Sequence, residues 1–217
     1  GNTCFMNSAI QCLSNSCKLR QFFLSREYEV DLNKDNPLGT GGELAEKFFE
    51  LMETVWGGEY SVSAPRDLKT KIERNASQFG GQSQHDSQEL LMYLMDGIHE
   101  DCNRVKQKEL VPTLESDGRP DSVVAKEAWK GHLKRNDSVI VDHFQGQLKS
   151  TLVCPKCDRV SITFDPFMTL SIPLPVPLTR TLKVVFVPKN PLKNPLKLRV
   201  GVPKIGTILD LKKEIFK

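Results

Sequence analysis

Cys4 is the residue whose position in the sequence most favours nucleophilic chemistry. It lies in the first turn of a helix that the apolar spacing predicts over residues 3–15, with Thr3 in the capping position. The unpaired N–H groups and the dipole of a helix N-terminus stabilise a thiolate, which is the nucleophilic form of cysteine. A lone cysteine can equally be a small buried core residue, and this is the prediction for Cys12 and Cys17.

A nucleophilic cysteine also needs a base, and the sequence offers four histidines: His85, His99, His132 and His143. None of them lies in a setting that identifies it as the partner of Cys4. Each is predicted to be a surface residue or a hydrogen-bonded one. The residues alone therefore supply half of a catalytic mechanism.

Cys154 and Cys157 form a Cys-x-x-Cys pair in a predicted turn between two strands. This spacing places two thiolates on one face of a tetrahedron, as a structural zinc site requires. A redox-active pair has the same spacing, so the pair by itself leaves both interpretations open.

Asp86 and Glu89 have the spacing of a capping box and precede an apolar stripe that runs from Leu90 to Val105. They are therefore predicted to cap the strongest helix of the chain.

The elements that must position these residues are helical in the first part of the chain. From Val139 the apolar period changes to that of strands. Pro173, Pro175 and Pro177 then indicate a linker. The predicted elements are helices over residues 44–55, 63–74, 86–105 and 125–135, a polar loop over 106–125, strands around 139–153 and over 160–164, strands over 181–187 and 196–202, and a helix over 207–216.

Composition is that of a soluble globular protein: 217 residues, 39% hydrophobic, 26% charged, with a mean hydropathy of −0.35. No apolar run approaches the length of a membrane span. Residues 179–217 carry ten basic and two acidic residues, which predicts a module boundary near residue 178. Because these cations are spaced along strand-like segments, with only Phe186 and Phe216 as aromatic residues among them, a solvated face is expected rather than a nucleic-acid or membrane surface. The cysteine pattern favours a reducing compartment, the cytoplasm or the nucleus.

Three segments, taken together, resemble the motifs of the ubiquitin-specific proteases, peptidase family C19. Residues 1–13, GNTCFMNSAIQCL, resemble the cysteine box, and residues 84–91, QHDSQELL, resemble the second motif, in which Gln-Gln-Asp-x-x-Glu is usual. Residues 144–157, with Cys154 and Cys157, resemble the zinc-bearing fingers region. The resemblance covers residues 1–178 almost throughout.

The resemblance implies a role for seven residues. Cys4 matches the nucleophile, and Phe5 matches an aromatic position beside the C-terminal tail of ubiquitin. Gln84, Asp86 and Glu89 match positions that hold this tail, whose arginines suit carboxylates. Since Asp86 and Glu89 are also predicted to cap a helix, one is expected to cap and the other to bind the tail. Cys154 and Cys157 match half of a structural Cys₄ zinc site whose other ligands come from beyond Lys217.

The sequence is most similar to the subgroup of this family that carries a ubiquitin-like domain within the catalytic domain. Residues 136–142 and 150–155 have that subgroup's style of sequence. Residues 180–217 follow the strand, strand, helix order with which a β-grasp fold begins, although a generic ββα segment has the same order.

The predicted fold class is α+β, papain-like, of the ubiquitin-specific protease type. The predicted domains are a helical thumb over 1–105, a polar loop or insertion with a short helix over 106–137, fingers and palm strands over 138–178, and the start of a ubiquitin-like insert over 179–217. No Gly-His-Tyr histidine box occurs in residues 1–217, and the family's oxyanion Asn would lie upstream of Gly1. We therefore expect a fragment of a deubiquitinase that acts on ubiquitin and ubiquitinated proteins and is inactive by itself. A catalytically dead ubiquitin-binding module and a zinc-organised interaction scaffold are the alternatives.

Overall fold

The computed structural model describes residues 2–112, 114–175 and 178–216. The chain folds as two compact units, residues 1–170 and residues 171–217. The elements of the first unit are α1 (Cys4–Ser14), α2 (Cys17–Leu24), α3 (Tyr28–Asp31), α4 (Glu43–Trp56), α5 (Arg66–Asn75), a 3₁₀ turn (Ser77–Phe79), α6 (Ser87–Asp101), α7 (Asp121–Leu133), α8 (Val139–Phe144), β1 (Gly146–Val153) and β2 (Val160–Phe167). The second unit contains β3 (Thr179–Phe186), β4 (Leu196–Pro203) and α9 (Ile208–Ile215).

The core of the first unit lies among α1, α2, α4 and α6, which bury the apolar faces that their spacing predicts. Phe23 and Phe48 are fully buried at its centre, with ring centroids 5.0 Å apart in an edge-to-face arrangement. Against them pack Leu19, Leu44, Leu90, Leu94 and Ile98. Helix α1, which begins at Cys4, is fixed against α6 by this core.

A buried carboxylate from the end of α6 caps the start of α4. Gly42 occupies the N-cap position of α4 and has no side chain to cap with. Asp101 instead accepts hydrogen bonds from the backbone N–H groups of Thr40, Leu44 and Ala45 and from the Thr40 hydroxyl. The Asp101 side chain is therefore buried without lacking hydrogen-bond partners.

Residues 139–144 are helical, and the prediction of strand-like structure around Val139 and Val141 is wrong there. Ser138 caps α8 by accepting the N–H groups of Ile140 and Val141. Three consecutive apolar side chains, Val139, Ile140 and Val141, are all buried, which a one-sided strand cannot achieve. The helix packs on α2 and α6, so the start of the predicted fingers and palm region belongs to the helical core.

The other predicted elements are present, with shifted ends. Helix α7 begins at Asp121 rather than near Ala125, and β1 begins at Gly146. Strands β1 and β2 form an antiparallel hairpin in which Val153 pairs with Val160, and the turn between them holds the two cysteines. Among the described residues, every helix is too short or too polar to cross a bilayer.

The second unit is an antiparallel hairpin followed by a helix, in the predicted order. Phe186 pairs with Leu196 at one end of the hairpin and Thr179 with Pro203 at the other. Thr207 and Asp210 form a reciprocal capping box at the start of α9. The boundary between the units precedes the predicted one near residue 178, and the finer domain division stays a prediction. Pro177 of the predicted linker, and Gly1 and Lys217, lie outside the described residues.

Candidate active site at the first turn of α1

Cys4 is the first residue of α1, and its side chain is exposed. Thr3 occupies the N-cap position but makes no side-chain cap, so that part of the sequence prediction is wrong. The Ser8 hydroxyl donates to the Cys4 carbonyl oxygen at 2.8 Å, one turn along the helix. The thiol thus lies beside first-turn N–H groups that Thr3 leaves uncapped, which suits a developing negative charge.

Residues 82–87, named here segment 82–87, run beside the Cys4 turn. The Asn2 side-chain amide donates to the Gln82 carbonyl oxygen at 3.0 Å. The Ser87 hydroxyl donates to the Phe5 carbonyl oxygen at 2.8 Å. The structure therefore brings the cysteine motif and the second motif together, although about 80 residues separate them in the sequence.

The structure assigns different tasks to the two carboxylates of the second motif. Asp86 caps α6: its Oδ1 accepts the N–H of Gln88 at 2.7 Å and that of Glu89 at 3.2 Å. The Glu89 carboxylate returns no bond, so the predicted capping box is half formed. Glu89 and Gln84 are exposed, and their side chains make no hydrogen bond within the described part of the chain. These two side chains are open to a ligand.

Phe5 is buried, with 6% of its surface exposed. Its ring packs against Phe79 and His85, with centroid distances of 6.5 and 5.0 Å. Phe5 thus supports the Cys4 turn from the core side, and its contact with a ubiquitin tail stays a prediction.

A cavity of about 560 Å³ opens beside the Cys4 turn. Its walls come from the start of α1, from the start of α5 and from the loop before segment 82–87. The lining residues are Thr3, Ala64, Pro65, Arg66, Lys69, Glu73, Gly81 and Gln82.

The two other predicted site cysteines lie in the tight turn between β1 and β2 and form no disulfide. The backbone N–H of Lys156, the Cys157 side chain and the backbone N–H of Cys157 lower the pKa of the Cys154 thiol by hydrogen bonding. Asp158 has a φ of 54°, which lets the chain turn back into β2. Metal-binding thiolates need this kind of support from backbone N–H groups. The described residues contain no cluster of three or more metal-ligating side chains.

Three of the four histidines behave as predicted. His143 is exposed, and His99 and His132 belong to one hydrogen-bonded chain. In this chain His99 contacts Ser138 at 2.7 Å and Asn136 at 3.3 Å, and Asn136 contacts His132 at 3.3 Å, which contacts Gln145 at 2.7 Å. His99 lies within the helical core, and its burial lowers its pKa. None of these three histidines is placed as the partner of Cys4.

His85 departs from the prediction, because it is neither fully exposed nor hydrogen-bonded. It is half-buried, and its Nε2 is buried without a partner. Its sequence position between Gln84 and Asp86 was the available signal, and the ring contact with Phe5 was not visible from the sequence.

Cys12 and Cys17 are exposed, so the prediction that they are core residues is wrong. Both lie on the outer faces of their helices, α1 and α2. Cys102, at the end of α6, is the buried cysteine. Its burial raises the pKa of its thiol, which makes it an inert core residue.

Comparison with solved structures identifies the fold. The chain matches the SAGA Ubp8/Sgf11/Sus1/Sgf73 DUB module bound to ubiquitin aldehyde with a TM-score of 0.51 and 20% identity, over 77% of this chain and 32% of the other. The same module bound to monoubiquitin gives a TM-score of 0.53 and 18% identity, over 77% and 33%. The expected α+β, papain-like fold is thereby confirmed.

Sequence comparison identifies the family. The ubiquitin carboxyl-terminal hydrolase family matches residues 1–208. Ubiquitin carboxyl-terminal hydrolase 15 of Homo sapiens is 56% identical over 211 residues, and ubiquitin carboxyl-terminal hydrolase 4 of Mus musculus is 55% identical over the same length. Each alignment covers 97% of this chain and 22% of the relative, so the chain spans about a fifth of the length of these relatives. The chain belongs to the ubiquitin carboxyl-terminal hydrolase family.

Proposed function

We propose that the protein containing this chain is a cysteine-type deubiquitinase that hydrolyses the bond after the C-terminal glycine of ubiquitin. The observation that carries the proposal is the exposed Cys4 at the uncapped start of α1, with segment 82–87 bonded alongside. The family, and the ubiquitin that its members' names specify, support this choice of substrate.

The reaction follows from the placement of Cys4. The Cys4 thiolate attacks the carbonyl carbon of the terminal glycine, and a tetrahedral oxyanion forms beside the first-turn N–H groups of α1. The C–N bond then breaks, the amine of the modified protein leaves with a proton, and a thioester remains on Cys4. Water hydrolyses this thioester and releases ubiquitin with a free carboxylate. The base that moves these protons belongs to the histidine box that the family resemblance implies, and no such box occurs in residues 1–217.

Glu89 is the carboxylate that we assign to the arginines of the ubiquitin tail. Its side chain is exposed and unpaired within the described residues, whereas one oxygen of Asp86 is occupied by the cap of α6. Gln84, on segment 82–87, is also exposed and adds a neutral contact. Charge reversal by Glu89→Lys should weaken ubiquitin binding more than ten-fold, because an attraction becomes a repulsion. The matched control is Glu59→Lys, which changes an exposed carboxylate outside both segment 82–87 and α6.

Cys154 and Cys157 are proposed to supply two of four ligands to a structural zinc ion. Their tight turn and the N–H groups that stabilise the Cys154 thiolate suit this metal. Bound zinc would fix the end of the β1–β2 hairpin and take no part in the reaction. The longest natural protein that contains these residues should hold one zinc ion at this site by mass spectrometry, and Cys154→Ser should lose it, whereas Cys17→Ser should keep it. Equal zinc in both variants would contradict this assignment.

Residues 179–216 are proposed to begin a ubiquitin-like insert, which the β3–β4 hairpin and the capped α9 support. Ubiquitinated proteins are the proposed partners, without nucleic acid or membrane, in the cytoplasm or the nucleus.

The decisive experiment uses the longest natural protein that contains these residues. It is mixed with ubiquitin that carries a thiol-reactive electrophile at its C-terminus, and the adduct is mapped by mass spectrometry. We expect the adduct on Cys4, its loss in Cys4→Ala, and its retention in Cys12→Ala and Cys17→Ala, which remove other exposed thiols.

The alternatives predict different results. A catalytically dead ubiquitin-binding module would bind ubiquitin without forming the adduct. A zinc-organised scaffold would neither bind ubiquitin nor react faster at Cys4 than at Cys12 and Cys17. Either result in folded protein would overturn the proposed activity.

A further inference from the structure

His85 belongs to a cluster of aromatic rings directly beneath the Cys4 turn. The His85 ring meets Phe5 edge-on, with a centroid distance of 5.0 Å, and meets Phe79 in the same way at 5.9 Å. Phe79 in turn contacts Tyr93 of α6 at 5.6 Å. The cluster therefore links segment 82–87 with the start of α1 and with α6, and Phe5, its member in α1, is the neighbour of Cys4.

Backbone ties hold segment 82–87 in this place. Gln82 accepts from Asn2, two residues before α1, and Ser87 donates to Phe5 of α1, so the segment is bonded on both sides of His85. Gly81, with a φ of +76°, turns the chain into the segment in a conformation that glycine tolerates best. A movement of the segment is therefore transmitted to the Cys4 turn.

The Nε2 atom of His85 is buried and has no hydrogen-bond partner, and it is the one such side-chain atom among the residues that the structure describes. A buried polar atom without a partner destabilises a protein. A phenylalanine ring would make the same edge contacts with Phe5 and Phe79 without that cost. The nitrogen therefore has a use that the free protein does not show.

We propose that His85 is a positioning residue for Cys4: binding of the ubiquitin tail at segment 82–87 gives Nε2 a hydrogen-bond partner, and the ring carries this change through Phe5 to the Cys4 turn. The proposal rests on the proposed function. His85 lies between Gln84 and Asp86, so tail binding at these neighbours acts directly on its backbone. Small displacements of a nucleophile have large effects on rate, so a link between tail binding and the position of Cys4 would affect turnover.

The test separates the nitrogen from the ring. His85→Phe keeps the ring and removes the nitrogen, and His85→Gln keeps a hydrogen-bonding group and removes the ring. Each is made in the longest natural protein and assayed with ubiquitin that carries a C-terminal fluorogenic amide. His143→Phe, at an exposed histidine, is the matched control.

For His85→Phe we expect kcat to fall about five- to tenfold, which corresponds to the loss of one hydrogen bond in the transition state. KM should stay within twofold of the wild type. The melting temperature should stay equal or rise, because the unpaired nitrogen is gone. His85→Gln should melt at a lower temperature and recover part of kcat. This combination of a slower and equally or more stable enzyme is not expected from a structural role.

Three outcomes would overturn the proposal. A wild-type kcat in His85→Phe would show that the nitrogen is not used. A raised KM with unchanged kcat would make His85 a binding contact instead. Wild-type protein that neither turns over nor labels at Cys4 would remove the proposed function, and the inference with it.

Discussion

The helical region and the β1–β2 hairpin of the first unit differ in how far they bury apolar side chains. In the helices, Phe23 and Phe48 are fully buried, whereas in the hairpin Leu152 is 70% exposed and Val153 is 54% exposed. The helices obtain their stability from a shared core that contains residues distant in sequence. The hairpin packs against α7 through β2, whereas the side chains near its cysteine turn stay exposed. The candidate nucleophile Cys4 therefore lies on the well-packed region, and the two zinc-ligand candidates lie on the weakly packed one.

The two regions also differ in how their polar groups are paired. The helical region satisfies buried polar atoms over long sequence distances, as Asp101 does at the start of α4 and Asn33 does at the Asn103 carbonyl oxygen. The hairpin also reaches distant residues, with Lys149 bonded to Asp121 and Arg159 to Glu115, but these two ion pairs are exposed to solvent. A substitution in the helical region should therefore disturb the packing of distant residues, whereas a substitution in the hairpin should disturb only its neighbours.

The largest expected effect is in the helical core. Phe48→Ala removes a fully buried ring and should lower the free energy of unfolding by about 4 kcal/mol. Urea unfolding followed by tryptophan fluorescence measures this change. Leu110→Ala, at a side chain that is 96% exposed, is the control and should leave the urea midpoint almost unchanged. Similar effects of the two substitutions would show that the core is not packed as described.

The second effect concerns the long-range cap. Asp101→Ala leaves the N–H groups at the start of α4 without their acceptor and should cost about 3 kcal/mol of unfolding free energy. Asp96→Ala changes an exposed carboxylate on the same helix and should cost less than about 0.5 kcal/mol. Equal costs in the same urea experiment would refute the capping role of Asp101.

The third effect depends on pH. Burial lowers the pKa of His99 below its ordinary value of 6.5, and Lys108 acts in the same direction. Glu100, the hydrogen bond that His99 makes to the Asn136 side-chain oxygen, and Asp96 act in the opposite direction. The unfolded chain therefore binds a proton more readily than the folded one, so stability is greatest above pH 6.5 and falls as the pH decreases towards the folded pKa. Each unit of difference between the two pKa values contributes about 1.4 kcal/mol.

This pH dependence can be assigned to His99 by substitution. Unfolding free energies at pH 7.5, 6.5 and 5.5 should decline less steeply in His99→Gln than in the wild type. The exposed His143 supplies the control, since His143→Gln should keep the wild-type decline. An unchanged slope in His99→Gln would count against the buried imidazole as its source.

The smallest effect is expected in the hairpin. Leu152→Thr replaces an exposed side chain with another strand-forming residue and should change the unfolding free energy by less than about 0.5 kcal/mol. Amide hydrogen exchange in β1 should also be faster than in α4, because local opening costs less where fewer side chains are packed. Slow exchange in β1 would show that this hairpin is as well supported as the helices.

The sequence predicted the helices and strands that depend on residues close together in the chain. Apolar spacing indicated α1, α4 and α6, and strand alternation with a cysteine turn indicated the β1–β2 hairpin. The helix at Val139–Phe144 was missed because three consecutive apolar residues fit a buried strand or a buried helix equally well. Asp101 and the ring contact of His85 were missed because both depend on residues that fold next to them from elsewhere in the chain. Cys12 and Cys17 were placed in the core by residue type, whereas the orientation of their helices exposes them.

The hydrogen-bonded chain from Ser138 to Gln145 has a direction. Ser138 Oγ accepts two backbone N–H groups, so its own proton points at His99 Nδ1. His99 must then donate from Nε2 to Asn136, whose amide N–H donates to His132 Nδ1, and His132 donates from Nε2 to Gln145. Reversing any one bond requires the Asn136 and Gln145 amides to turn over and both ring protons to move, so the bonded side chains behave as a single two-position element that joins α6 to Gln145, the residue before β1.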